Sequence, residues 1–170
     1  MNGISSIAHV ALKVRDLDRS LDFYTDKLGF QEMMRLDKPD GSPGVWLVYL
    51  RITDTQYLEL FPEGQGDRAP GWSDTAINHI CLGVDDLDST LAHLDKAGIP
   101  LLLPKKQAVD GNWQAWIEDP DGNREPLRVF RRQFCLSATR RRAAPQGLYR
   151  SVPPPRRAGC SRSARAGAGG

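Results

Sequence analysis

Cysteine is scarce in this sequence: Cys81, Cys135 and Cys160 are the only three in 170 residues. They are too few and too scattered for a disulfide framework, and without a CxxC pair there is no sign of a zinc ribbon. No apolar run approaches the roughly 20 residues that cross a bilayer. The N-terminal stretch lacks the basic, apolar, small-residue order of a secretory signal. The expectation is a cytoplasmic protein with no membrane partner. Lysine is missing altogether from residues 124–170, which hold 12 Arg and a single acid, Glu125. Residues 1–123 are the reverse, with 11 Lys and Arg against 20 Asp and Glu. The small net charge of +2 thus conceals two different kinds of sequence.

From about Phe134 the residues are almost all Arg, Ala, Pro, Gly and Ser, and Val152-Pro153-Pro154-Pro155 continues neither a helix nor a central strand. Such a segment buries too little to offset its chain entropy, so residues 132–170 are expected to be a disordered basic tail. Charge alone would suit nucleic acid. With no aromatic interleaving and no recognisable module, nucleic acid is not the expected partner. Shifted translation of a GC-rich gene yields this composition, which makes an out-of-frame tail the sharper reading.

The body contains a repeat. Ile7–Leu21 and Ile77–Leu91 align at an offset of 70 with eight of fifteen positions identical. With one gap the match runs on to Lys27/Lys96 and Gly29/Gly98. Two similar modules follow, residues 1–62 and 77–131, joined by a Gly-, Pro- and Asp-rich linker at 63–76. Each opens with strand alternation: Ala8, Val10, Leu12 and Val14 face one way, and Ile7, His9, Ala11 and Lys13 the other. A helix follows, with Asp16 as N-cap and Gly29 just past its end. Phe30–Asp37, Val45–Ile52 and Thr55–Phe61 read as strands. In the second module the reading is a strand at Ile77–Val84, a helix at Leu87–Ala97 and strands at Ile99–Leu103 and Asn112–Glu118. A turn at Pro120–Asn123 then leads into a last strand near Arg124. The fold class is α+β: two βαβββ modules in a pseudo-twofold pair, forming a concave sheet around one cavity.

The repeat gives the histidines meaning. A single His on a strand is ordinarily a hydrogen-bonded core residue. His9 and His79 occupy equivalent positions opposite the helix-covered face, where the pair would meet across a shared cavity and hold a metal. Glu59 is the only charge within the apolar run Tyr57-Leu58-Glu59-Leu60-Phe61, and a buried carboxylate needs a cationic partner.

These stretches, IAHVALKV with SLDFYTDKLGF, YLELF, INHICLGVDDLD and WIEDPDGNR, resemble the vicinal oxygen chelate superfamily over about residues 4–124. That superfamily includes glyoxalase I, methylmalonyl-CoA epimerase, extradiol dioxygenases and the bleomycin and fosfomycin resistance proteins. Glyoxalase I-like members draw one metal ligand from each of four strands. The resemblance assigns His9, Glu59 and His79, with a Glu after the DPDGN turn as the fourth. In this chain Glu125 comes one residue early and Pro126 stands at the expected ligand position. A one-residue slip turns a strand side chain to the opposite face, toward Leu127 and Val129. Loss of the reading frame just after Arg124 is the simplest account, and the expected result is an impaired site with Glu125 as stand-in ligand.

The resemblance implies a divalent metal (Ni, Zn, Co, Mn or Fe) that chelates adjacent substrate oxygens and stabilises an enediolate. Glu59 and Glu125 are the implied acid/base residues. The substrate is a small molecule, a glutathione adduct in lactoylglutathione lyase itself. Lys13 keeps the charge of an Arg that pairs with glutathione in such enzymes but loses its fork. Glu63 would repel the carboxylates. Trp113 and Trp116 have opposite strand parities; one belongs in the core and the other in the cavity, and Trp113 is taken as a substrate-binding candidate. Lys105 and Lys106 read as loop lysines. Two other classes compete: an Fe(II) extradiol-type dioxygenase, and a metal-free small-molecule binding or resistance protein. Small members of the superfamily dimerise, often sharing ligands between chains, so a homodimer is expected.

Overall fold

The structure is a computed structural model that describes residues 3–129; the expected basic tail lies outside the described residues, as do Cys135 and Cys160. β1 (His9–Lys13) leads into α1 (Leu17–Leu21), which continues as a π-helical turn over Asp22–Lys27. β2 (Gln31–Asp37), β3 (Val45–Thr53) and β4 (Gln56–Phe61) complete the first unit. The second repeats the order as β5 (Leu82–Gly83), α2 (Leu87–Lys96), β6 (Leu103–Gln107), β7 (Trp113–Glu118) and β8 (Arg124–Arg128). The chain is α+β, with two four-stranded sheets ordered β1-β4-β3-β2 and β5-β8-β7-β6. In each sheet the first and last strands are parallel because the helix carries the chain across, and the other pairs are antiparallel. Among the described residues no helix is long and apolar enough to cross a membrane.

Local chemistry accounts for the element ends. The Asp16 side chain accepts from the Arg19 amide and Asp86 from the Asp88 amide, so each helix starts on a carboxylate cap. Gly29 and Gly98 follow the helices at φ of 81° and 70°, the left-handed region glycine enters without strain. The gap in the repeat also has a structural cause. Tyr24 aligns with Leu94 at an offset of 70, but Lys27 aligns with Lys96 at 69. The extra residue of the first module is absorbed by the π-helical turn, where the Leu28 amide bonds back five residues to the Phe23 carbonyl.

Two strands differ from the sequence reading. β6 begins at Leu103 rather than Ile99, because the Ile99 amide closes the helix end on the Leu94 carbonyl and Pro100 has no amide to donate. Lys105 and Lys106, read as loop residues, therefore sit on an edge strand, where lysine discourages further pairing. β5 is short, although the Ile80 and Val84 amides bond the Arg124 and Arg128 carbonyls at either end of it.

One core holds the helix-covered faces of both sheets. Leu12, Leu58 and Leu60 from the first sheet, Ala115, Ile117 and Leu127 from the second, and Phe23, Leu87 and Leu94 from the helices belong to a single buried cluster. His93 ties the two helical segments together, its Nε2 donating to the Lys27 carbonyl at 2.7 Å. The DPDGN turn clamps the modules together. Asp121 accepts from the Arg15 amide and Nε, and Asp119 accepts from the Asp121 and Asn123 amides. The two modules share that core through the faces their helices cover.

Candidate metal centre and its two half-sites

The open face of the first sheet carries His9, Ala11 and Lys13 on β1 and Tyr57, Glu59 and Phe61 on β4. Glu59 is 5% exposed, with Ala11 of β1 on one side and Tyr49 of β3 on the other in register. His9 is half exposed, and its Nε2 lies 3.7 Å from Glu59 Oε2. Tyr49 donates a hydrogen bond to Glu59, which raises the phenol's pKa because the ionised phenol would lose that bond and face a carboxylate. Sequence reasoning missed Tyr49, although its strand parity follows from the buried Val48 and Leu50. An imidazole beside a buried carboxylate is a donor pair suited to a divalent transition metal.

Lys13 lies at the end of this face in a recess of about 320 Å³ that also contains Lys38, Trp46 and Glu63. Glu63, expected to repel an anionic substrate, is paired with Lys38, which lowers its carboxyl pKa. Its backbone, at φ 66°, is the only non-glycine with positive φ among the described residues. Lys13 also faces Glu63 and adds to the lowering of its pKa.

The second sheet is built differently on its open face. His79 is present, and its pKa is lowered by burial and by Arg128 and Arg124. Nδ1 lies 2.9 Å from Asn78 Oδ1, so Nδ1 carries the proton and Nε2 keeps its lone pair. Trp116, not Trp113, is its neighbour, with ring centroids 5.1 Å apart. Trp113 lies on the opposite face of β7, partly exposed beneath the Lys105 ammonium, which is itself paired with Asp88. Pro126 stands directly across from Trp116 on β8.

Glu125 points the other way. It is buried on the helix-covered face, where Oε1 lies 2.7 Å from Tyr24 Oη and Oε2 has no partner. Tyr24 Oη is also 2.8 Å from Asp119 Oδ2. The Tyr24 hydroxyl is thus the donor that both the Glu125 and the Asp119 carboxylates face. Burial accordingly raises the Glu125 pKa to about 8, reinforced by the Asp119 charge and opposed by the Tyr24 hydrogen bond. The structure thus brings His9 and Glu59 together, holds His79 on the other open face and Glu125 on neither. Among the described residues no three His, Cys, Asp or Glu side chains are grouped to hold a metal ion.

Between the free edges of β1 and β5 runs a cleft of about 780 Å³ lined by Ile7, Val10, Phe30, Ile80 and Leu94, with His9 on its rim. Each of these strands has a sheet partner on one side only. Ile7 and Ile77 beside them are 79% and 71% exposed.

A family model described as Glyoxalase/Bleomycin resistance protein/Dioxygenase superfamily matches residues 6–124. The lactoylglutathione lyase of Haemophilus influenzae is 32% identical over 120 residues, covering 68% of this chain and 86% of that protein. Among solved structures, a glyoxalase family protein from Enterococcus faecalis superposes with a TM-score of 0.64 at 25% identity, over 72% of this chain and 96% of that one. The trypanothione-dependent glyoxalase I of Leishmania major does so with a TM-score of 0.58 at 29% identity, over 74% and 87%.

Proposed function

The chain belongs to the glyoxalase/bleomycin resistance protein/dioxygenase superfamily, and from that premise we propose that it is a metal-dependent lyase or isomerase of the lactoylglutathione lyase kind, its site completed by a second copy of the chain. The observation that carries this reading is the His9–Glu59 pair, an imidazole set beside a carboxylate that the sheet buries. A metal would be held by His9 and Glu59 of one copy and His79 of the other. The free edges of β1 and β5, each flanked by an exposed isoleucine, are where two copies can join.

A bound divalent metal supplies Lewis acidity toward a carbonyl oxygen. Glu59 then moves the proton next to that carbonyl, Tyr49 orients Glu59, and Lys13 takes an anionic end of a small-molecule substrate. A glutathione adduct is the first substrate to test. Glu125 and Trp113 are left out of the site because both lie on helix-covered faces. The reading keeps residues 1–62 and 77–131 as the two modules, 63–76 as their linker, and the cytoplasm as the location. Three donors rather than four also match the two-His-one-carboxylate set of Fe²⁺ oxygen chemistry, which oxygen uptake would reveal.

Elemental mass spectrometry on the purified protein tests the proposal. Ni, Zn, Co, Mn or Fe should copurify with the wild type and be lost from His9→Ala and Glu59→Gln. Metal retained equally in both variants, or absent from all three proteins, would sink it.

A further inference from the structure

Where the linker crosses the end of β1 it encloses a small cavity of about 180 Å³. Lys13, Arg15, Arg68, Asp121 and the Gly64-Gln65-Gly66 loop are in its wall. The loop is pinned at both ends. The Gly64 amide donates to the Val14 carbonyl at 2.8 Å, and the Ala69 amide to the Asp121 carbonyl at 2.7 Å. Between these anchors the Gln65, Gly66, Asp67 and Arg68 amides find no acceptor among the described residues. Glycine makes the path possible. A Cβ on Gly64 would stand 3.0 Å from the Val14 carbonyl carbon, and Gly66 takes φ of 91°. Successive free N–H groups in a turning loop form a concavity that attracts anions.

The charges in the wall have the matching sign. Three cations face one carboxylate, and that carboxylate is spent: Asp121 takes the Arg15 amide on Oδ2 and the Arg15 Nε on Oδ1. The terminal nitrogens of Arg15 have no acceptor among the described residues. Arg68 gives one terminal nitrogen to Glu118, which is outside the cavity wall. The Arg68 stem crosses the turn at Gly122, where a Cβ would meet its Cγ at 2.6 Å. A glycine at 122 is therefore what lets Arg68 hold this position. Two acids of the same segment belong elsewhere: Asp67 lines the neighbouring groove, and Glu63 is paired with Lys38.

We propose that this cavity binds a phosphate group, whose oxygens accept from the amides of residues 65–68 and from Arg15 and Arg68. Donors come from the loop and from the end of β1, which suits a tetrahedral dianion better than a flat carboxylate. Lys13 lines both this cavity and the recess beside Lys38, so the test is built on Arg68 instead. The site goes beyond the metal-dependent reading and does not rest on it, because none of its contacts uses His9, Glu59 or His79.

The test is a titration with inorganic phosphate of protein treated with EDTA and then desalted, at an ionic strength held constant with NaCl. Backbone amide signals in ¹H–¹⁵N spectra are the readout. The Gln65, Gly66, Asp67 and Arg68 amides should move together and saturate. Arg68→Gln should weaken binding about tenfold, the usual scale of one charge-assisted hydrogen bond. Lys105→Gln, on the edge strand β6, should leave it unchanged. Phenyl phosphate separates the two sources of the group. Tighter binding than inorganic phosphate would assign the site to a phosphate monoester, and equal binding to free phosphate. No saturable shift at millimolar phosphate, the same shifts from NaCl alone, or equal weakening by Arg68→Gln and Lys105→Gln would each overturn the proposal. Because metal is absent throughout, loss of metal binding in the earlier experiment and loss of phosphate binding here are separate outcomes.

Discussion

The two open faces descend from one repeat yet do different chemistry. Both have the strand order of their module, and both carry a histidine at the same position of the repeat. On the first face the last strand adds Glu59, buried and held by Tyr49. On the second it adds Arg124, Pro126 and Arg128 against Trp116. The backbone repeat supplies two equivalent platforms, and one register position on the last strand decides whether a platform carries a buried carboxylate, Glu59, or a proline, Pro126. Fold likeness cannot settle function here for that reason.

Removing the carboxylate from the first face should have the largest effect. Glu59→Gln keeps the shape but takes away a charged metal ligand, and metal affinity should fall by at least about 100-fold, since even outer residues are worth 10–100-fold. Mixing can test whether two faces from different copies form one site. His9→Ala and His79→Ala should each bind no metal alone. Mixed and allowed to exchange subunits, half the dimers are hybrid and one of each hybrid's two sites is intact, so about a quarter of the sites should recover metal. No recovery would place both histidines in one chain's site and break the proposed pairing.

The next effect lies behind the second face. Glu125 has a folded pKa raised to about 8, against an ordinary value of 4.5. Its proton is held more tightly folded than unfolded. The stability it contributes is therefore complete below about pH 4.5 and is lost as the pH rises toward 8, by on the order of 4 kcal/mol. Thermal unfolding followed by circular dichroism should show a lower Tm at pH 8.5 than at pH 5. Glu125→Gln, which stays neutral, should flatten that slope. A wild-type slope unchanged by the substitution would mean that Glu125 is not the titrating group.

The comparison can also be sharpened by making the second face resemble the family pattern. Glu125→Ile with Pro126→Glu removes the buried acid and sets a carboxylate on the open side beside His79. Metal affinity should rise about tenfold or more, in keeping with an added charged ligand. A smaller effect is expected from Tyr49→Phe, which leaves Glu59 in place but frees its orientation. Metal affinity should drop about tenfold.

Local chemistry made much of this legible. The repeat, the aspartate caps, the glycines after each helix and the alternation that turns His9 away from Leu12 are all decided by residues near one another in the chain. Even the alignment gap marked the π-helical turn. What escaped the sequence reading depends on distant partners. Which faces of the modules meet is decided by Tyr24 reaching Asp119 and Glu125 and by Asp121 holding Arg15, contacts that span about a hundred positions. Alternation showed that Trp113 and Trp116 oppose each other, but only the placement of α2 over one face determines which of them is open. Arg68 lies in the linker, where no periodicity marks it.

The smallest effect concerns the ends of the helices, where the modules remain most alike. Asp16 caps α1 through the Arg19 amide at 3.1 Å, and Asp86 caps α2 through the Asp88 amide at 3.0 Å. Replacing either by Ala should cost about 1 kcal/mol in chemical denaturation, the usual value of such a cap. The two losses should also add, because the caps share no partner. Divergence in this chain would then be confined to the open faces and to the joint behind them, with the frames that hold them energetically equivalent. A cost confined to one cap would show that the second module's frame has drifted along with its face.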